Sequence, residues 1–399
     1  MVNWDIVSIF IFYALLLVVY YRYKEKFSTQ GLLVMYRTKL GLRWMDRLAK
    51  AYPRVVHWIS YVGVVLGFAG MAFILYFLIK ETIKLVFVPG TPPALAPVLP
   101  GIEIAGAPTL SFWHWIITIF IAAVIHEFSH GVVARLHDVP IKSSGFAFLG
   151  PILAAFVEPE EKELEKKSKM QQLSVFAAGP FSNMVLGVVI ILVMFFVLGP
   201  LASAIYQGEG IIVNQVVEGY PMNATGIAVP FTILAVNGEE TKDIVQFANI
   251  TKDIAPGDSV VLTTDKGEFT VVPVENPENA SKAFFGVSGF EAKVSLKEQY
   301  AYLEPYKGFF DWVQLLVLWI FIVTVGVGLF NLLPLGPVDG GRMFYTLALG
   351  VFKKEAYAKR ALQLATVLCL VLIFINMIPW LNKLFLWLWG LFSVLLGLL

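Results

Sequence analysis

The chain has 399 residues, of which 58% are hydrophobic and only 15% are charged, and its formal net charge is +1. Soluble domains carry about 25% charged residues, so this composition excludes an ordinary soluble protein and predicts a polytopic α-helical membrane protein. The near-zero net charge gives no basis for nucleic-acid binding. Cys369 is the only cysteine, which excludes an intrachain disulfide.

Seven apolar stretches approach the length of about 20 residues that a helix needs to cross a bilayer. They predict about seven transmembrane helices, at residues 4–22, 55–80, 111–136, 171–199, 308–333, 361–379 and 382–399. The last two stretches meet at the short segment Pro379-Trp380-Leu381. This predicts a C-terminal transmembrane hairpin, with one broken or re-entrant unit as the alternative.

The connecting loops differ in charge. Residues 22–54 hold nine basic and two acidic side chains, and the loops at 137–170 and after residue 333 are also rich in lysine and arginine. Short cytoplasmic loops carry such an excess, so these three loops are predicted to be cytoplasmic and the loop at 81–110 external. Seven helices then place the N-terminus outside and the C-terminus inside.

Residues 205–296 are polar and punctuated by glycine. Strands are predicted at 211–217, 233–236, 259–263 and 268–274, with a short helix within 243–253. The segment therefore predicts a small α+β domain, which the charge pattern places outside the cytoplasm.

The predicted third transmembrane helix contains the sequence His126-Glu127-Phe128-Ser129-His130. Side chains at positions i and i+4 share one face of a helix, so both imidazoles are able to reach one metal ion, with Glu127 beside its bound water. Ionisable groups at membrane depth are costly and usually functional. The motif predicts a zinc site with peptidase chemistry inside the bilayer.

A third ligand is expected from another segment, because catalytic zinc usually has three protein ligands. The best candidate is Asp339, which follows two helix-breaking prolines, Pro334 and Pro337, and precedes the pair Gly340-Gly341. Unwound backbone at membrane depth is tolerated where it is buried in protein or lines a wet cavity. Asp339 is therefore predicted to face a metal ion or water.

These motifs, together with the segment Ala178–Asn183, resemble the site-2 protease family of intramembrane zinc metalloproteases over about residues 111–345. Two departures from the family pattern stand out. Val338-Asp339-Gly340 stands where Leu-Asp-Gly is commoner, and Pro230-Phe231 replaces the Gly-Asp that usually precedes one strand of the inserted domain.

The resemblance implies one Zn²⁺ per chain, bound by His126, His130 and Asp339, with Glu127 as general base. It also implies hydrolysis of peptide bonds within the transmembrane segments of membrane-anchored proteins, as in regulated intramembrane proteolysis. The active site is expected toward the cytoplasmic side.

The same resemblance assigns Asn183 and Asn331 to substrate binding or to the oxyanion. Residues 143–157 are similar to the family's membrane-dipping β-hairpin, which would pair with an extended substrate. The polar insert is similar to a PDZ-like domain, which would contact peptides or act as a size filter.

A division of the chain follows from these assignments. We expect N-terminal helices and loops at 1–110, the catalytic core at 111–199 and 301–345, the PDZ-like domain at 200–300 and a C-terminal hairpin at 346–399. The expected partners are transmembrane substrate proteins and the lipid bilayer, with no nucleic acid.

Two other classes of protein share some of these features. Broken helices and ionisable residues at the membrane midplane also occur in transporters and channels, but the chain shows no duplicated half. A non-catalytic membrane scaffold is the second alternative, which the intact Glu127 disfavours.

Overall fold

The computed structural model describes residues 4–30, 33–102, 104, 107–149, 152–277 and 279–395. The chain divides into two compact units. The first comprises residues 1–193 and 313–399, and the second comprises residues 194–312.

We call the first unit, residues 1–193 and 313–399, the membrane unit. Its N-terminal part combines helices with a small sheet. Its elements are α1 (Trp4–Arg22), β1 (Phe27–Gln30), β2 (Leu33–Thr38), α2 (Leu42–Ala51), α3 (Pro53–Phe87), α4 (Phe112–Leu136), β3 (Ile141–Leu149), β4 (Ile152–Pro159), α5 (Glu161–Glu165) and α6 (Lys169–Val193). Pro53 occupies the first turn of α3, where a missing backbone N–H costs nothing, and the Ser111 side chain caps the start of α4.

The second unit has a β-rich core. Its elements are α7 (Gly199–Ile205), β5 (Tyr206–Val216), α8 (Pro221–Ala224), β6 (Phe231–Val236), β7 (Glu239–Glu240), α9 (Ile244–Thr251), β8 (Val260–Thr264), β9 (Gly267–Val271), β10 (Val274–Asn276), β11 (Asn279–Phe284) and β12 (Val287–Leu296). The main sheet has the order β12-β5-β6-β8-β9, all antiparallel, and β7 pairs with β6. The strands and the short helix lie close to the segments predicted for them, and the segment predicted at 268–274 is divided between β9 and β10.

Alternating strand residues form the core of this second unit. Ile211, Val213, Ile233 and Leu262 are buried on one face of the sheet, and Phe247 of α9 packs against them. Their burial fixes the register of the strands, because a slip by one residue would turn these side chains to the other face.

The chain returns to the membrane unit with α10 (Lys307–Asn331), α11 (Asp339–Phe352) and α12 (Glu355–Leu395). Among the described residues, five helical segments are long and apolar enough to cross a membrane: Pro53–Phe87, Phe112–Leu136, Lys169–Ile205, Glu298–Asn331 and Glu355–Gly390. The apolar part of α1, residues Ile6–Arg22, is shorter than these five segments.

The predicted C-terminal hairpin is wrong. Residues 355–395 form one helix with Pro379 inside it, so the last two predicted helices are parts of a single element. A proline removes one backbone hydrogen bond, but membrane helices tolerate that loss without reversing direction. The Trp380 indole N–H donates to the carbonyl of Leu95, which holds this part of α12 against the segment between α3 and α4.

The membrane unit also contains a four-stranded antiparallel sheet in the order β1-β2-β3-β4. In its register Val34 pairs with Phe148, and Ala147 pairs with Ala154. The two strands predicted as a hairpin are thus paired, while residues 150 and 151, which connect them, lie outside the described residues. Strand β4 is at the edge of the sheet and packs against α4.

Candidate metal centre and active site

Helix α4 provides two imidazoles on one face. The Nε2 atoms of His126 and His130 lie 3.1 Å apart, as the spacing of four residues predicts. Both side chains are largely buried, and their rings meet edge to face. The two nitrogens are therefore directed at one point within the helix bundle.

Asp339 reaches the same point from the first turn of α11. Its Oδ2 atom lies 3.0 Å from Nε2 of His126 and 3.3 Å from Nε2 of His130. The chain can approach so closely because Gly340 and Gly341 follow: a Cβ atom on either glycine would collide with the backbone of residues 332–336. The unwound segment predicted before Asp339 is thus a tightly packed turn.

This group suits a zinc ion. The ligand atoms of His126, His130 and Asp339 all lie within 4.8 Å of one another. These three side chains of the described residues are therefore close enough to hold one metal ion. A tetrahedral zinc ion with bonds of about 2.0–2.1 Å would separate its ligand atoms by about 3.3 Å, close to the three distances here. Two histidines and one carboxylate leave a fourth position open, as catalytic zinc requires.

Glu127 lies beside the group formed by His126, His130 and Asp339. The backbone N–H of Val157, on edge strand β4, donates to its Oε2 atom at 2.9 Å. This hydrogen bond holds one carboxylate oxygen in place and leaves the other available to a reactant. The general-base candidate is therefore oriented by the strand next to the site.

The site opens into a cavity of about 410 Å³. Glu127, Asp339 and Asn331 line it together with Ala154 and Ala155 of β4. Small side chains on that strand leave its backbone accessible from the cavity. The structure thus places a polar reaction centre next to β4, the edge strand of the sheet.

Helix α6 also contacts the two histidines. The carbonyl of Val175 accepts a hydrogen bond from Nδ1 of His130 at 2.7 Å. Gly179 faces both rings: a Cβ atom there would lie 2.6 Å from Nε2 of His126 and would also collide with His130. Asn183 follows, with its side-chain nitrogen 3.4 Å from Nδ1 of His126.

The structure therefore places the sequence candidates in two groups. His126, His130 and Asp339 meet at one point, and Glu127 and Asn331 line the adjoining cavity.

Asn183 is apart from them, fully buried behind His126. Two contributors that sequence reasoning missed are the carbonyl of Val175 and the N–H of Val157. Both are backbone groups, which nearly every residue type has, so the sequence does not indicate which of them contact the site.

Comparison with known proteins agrees with this geometry. The model of Peptidase family M50 matches residues 114–375, which is more than half of the chain. The uncharacterized protein MJ0971 of Methanocaldococcus jannaschii is 26% identical over 313 residues, covering 78% of this chain and 76% of that protein. Zinc metalloprotease RasP of Shouchella clausii is 24% identical over 293 residues, covering 62% of this chain and 67% of that protein.

A His-Glu-x-x-His helix and a carboxylate from a second helix, both within a bundle of apolar helices, define an intramembrane zinc metalloprotease. The chain belongs to Peptidase family M50, the site-2 protease family. It is an integral, multi-pass membrane protein, and zinc is its cofactor.

Proposed function

We propose that His126, His130 and Asp339 bind the zinc ion and that Glu127 is the general base of peptide hydrolysis within transmembrane segments. The observation that carries this assignment is the meeting of the three ligand atoms at one point, with Glu127 lining the same cavity. When bound, zinc supplies Lewis-acid activation of water and of the scissile carbonyl.

The reaction assigns one task to each neighbouring group. Glu127 accepts a proton from the attacking water and donates it to the leaving amine. The N–H of Val157 keeps the Glu127 carboxylate turned toward the cavity. Asn331 lines the same cavity, half-buried, and we assign it to hydrogen bonding with the substrate backbone or the oxyanion.

The substrate would lie along β4. A transmembrane helix shields its own carbonyls, so it must unwind locally before hydrolysis. Edge strand β4 lines the cavity and offers backbone groups to such an extended segment, and Ala154 and Ala155 leave room for it. We therefore assign the paired strands β3 and β4 to the membrane-dipping substrate hairpin that the sequence predicts.

The sidedness of the protein is part of the proposal. The excess of basic residues at 22–54, 137–170 and after residue 333 supports a cytoplasmic position for the active site and an extracytoplasmic position for residues 205–296. Because α12 is a single helix that crosses the membrane once, this topology places the end of α12 outside, whereas seven helices would have placed it inside.

We assign residues 200–300 to a PDZ-like domain between two halves of a catalytic core, 111–199 and 301–345. Its antiparallel sheet and the helix α9 support this assignment. The domain would either contact peptides of membrane-anchored substrates or limit the size of proteins that reach the site. Membership of the protease family does not favour a transporter, a channel or a non-catalytic scaffold.

Replacement of the general base tests the proposed function. Glu127→Gln keeps the shape of the side chain but cannot accept a proton near neutral pH, so the variant should retain zinc and lose cleavage of a transmembrane substrate in reconstituted vesicles. The matched control is Glu161→Gln, a neighbouring acid outside the metal-binding group, which should cleave at the parental rate. Cleavage by Glu127→Gln at the parental rate would refute the assignment.

A further inference from the structure

Asn183 is a buried polar side chain whose hydrogen bonding is incomplete. It is 0% exposed, and its Oδ1 atom has no hydrogen-bond partner among the described residues. Its Nδ2 atom lies 3.4 Å from Nδ1 of His126, which is long for a hydrogen bond. A buried polar atom without a partner costs about 1–3 kcal/mol, so its position calls for a physical reason.

The chemistry of His126 indicates which amide atom faces the ring. Its Nε2 atom points toward Asp339 and His130, so a metal ion at that point needs the lone pair of Nε2. A neutral imidazole then carries its proton on Nδ1, which becomes a hydrogen-bond donor. The amide NH₂ of Asn183 is also a donor, and two donors do not bond to each other.

Exchange of the two amide atoms resolves this conflict. Nitrogen and oxygen of an asparagine have nearly the same shape, and their assignment follows from the hydrogen-bond network. With the amide turned over, Oδ1 of Asn183 takes the place next to His126 and accepts the proton of Nδ1. Oδ1 then has the partner that it lacks, and Nδ2 takes the former place of Oδ1.

We infer that Asn183 is a positioning residue that accepts the Nδ1–H hydrogen bond of His126 and thereby directs Nε2 toward the metal. This inference rests on the proposed metal site. It replaces, for Asn183, the substrate contact that the sequence suggested, because the side chain is fully buried and lies behind His126 rather than toward the cavity.

The geometry of α6 supports the same role. Val175, Gly179 and Asn183 are four residues apart, so they form one face of the helix. Val175 accepts a hydrogen bond from Nδ1 of His130, Gly179 leaves room for both rings, and Asn183 contacts His126. One face of α6 thus orients both histidines of α4, using a backbone carbonyl for one and a side-chain oxygen for the other.

The role matches what metal sites require. A histidine that binds a metal usually donates its other N–H to an acceptor, and loss of that acceptor typically lowers metal affinity by about 10- to 100-fold. For His130 the acceptor is a backbone atom, which no substitution removes. For His126 it is a side chain, so the contribution can be measured directly.

The test is zinc affinity, measured by competition with a chelator on the full-length protein in detergent. Asn183→Ala removes the acceptor and should weaken zinc binding by about 10- to 100-fold, whereas Asn183→Asp keeps acceptor oxygens and should stay within a few-fold of the parent. Asn331→Ala is the control: it removes an amide that lines the cavity, and it should leave zinc affinity unchanged.

A second measurement needs no variant. The chain has five histidines, so ¹⁵N spectra of the histidine-labelled, zinc-loaded protein are sparse enough to assign. The inference expects His126 to be protonated at Nδ1. A proton on Nε2, or parental zinc affinity in Asn183→Ala, would overturn it.

Two further outcomes distinguish failure of the role inferred for Asn183 from failure of the proposed zinc site. Equal loss of zinc in Asn183→Ala and Asn183→Asp would overturn the acceptor role alone, because the parent would still bind zinc. A parent protein that binds no zinc would overturn the metal site and this inference together.

Discussion

Gly179→Ala should displace two of the proposed metal ligands, His126 and His130, without replacing either of them. The added Cβ atom would lie 2.6 Å from Nε2 of His126, whereas ordinary van der Waals contact begins at 3.4 Å, so the ring must move by about 0.8 Å. That shift exceeds the tolerance of about 0.2 Å in metal–ligand distances. Because both rings face Gly179, neither can move without leaving the position opposite Asp339.

The magnitude follows from the cost of overpacking. An extra methyl group in a well-packed interior costs about 1–3 kcal/mol. If the apoprotein relaxes by moving the rings aside, zinc binding must restore the strained arrangement. The affinity for zinc should then fall by roughly 5- to 150-fold.

The assay is chelator competition on purified protein, with Gly326→Ala as the matched control. Gly326 lies in α10, and a Cβ atom there would meet nothing within 4 Å, so this variant should bind zinc like the parent. Parental zinc affinity in Gly179→Ala would refute the view that this face of α6 holds the histidine rings in place.

Three other predictions address the third ligand, the topology and the β-rich unit. Asp339→Ala should lose both zinc and cleavage, since it removes one of three ligand atoms; full zinc occupancy would remove Asp339 from the site. In a cysteine-free background, Lys252→Cys should react with an impermeant thiol reagent on intact cells and Lys354→Cys only after permeabilisation; the reverse pattern would invert the proposed topology. The backbone N–H of Thr232 donates to Asp265 and lowers the pKa of that carboxyl, so its stabilising effect is present at neutral pH and is lost as the pH falls through the lowered pKa. Asp265→Ala should therefore speed amide exchange at Thr232 at neutral pH, and the difference from the parent should disappear in acid; equal exchange at neutral pH would contradict this.

Local patterns predicted much of the fold. The long apolar run at 111–136 gives α4, and the short apolar run at 233–236 lies within β6, because runs of these two lengths are typical of a membrane helix and of a buried strand. The single helix α12 was missed since Pro379 is a strong breaker in water but not in a membrane.

Long-range pairing was the other part that could not be predicted. Residues 22–54 read as a basic loop, yet they contain β1, β2 and α2. Strand β2 pairs with β3, more than 100 residues away, and such pairing leaves no mark in the local sequence. Met45 of α2 also packs beside Gly131, next to a predicted metal ligand, which no local pattern indicates.

The candidate site likewise contains residues that the sequence could predict and groups that it could not. His126 and His130 were predictable because a fixed helical spacing implies a shared face, and Asp339 because a carboxylate in broken helix at membrane depth is rare. The groups around them were not, since the carbonyl of Val175 and the N–H of Val157 depend on how three elements pack.

The position of the cut in a transmembrane substrate tests the central claim most directly. The protein, reconstituted in vesicles with a single-span substrate, should cleave within the apolar segment, as mass spectrometry of the fragments would show. A zinc chelator should abolish the cut, and added zinc should restore it. Cleavage confined to the water-exposed flanks, or cleavage that persists in chelator, would contradict an intramembrane zinc protease.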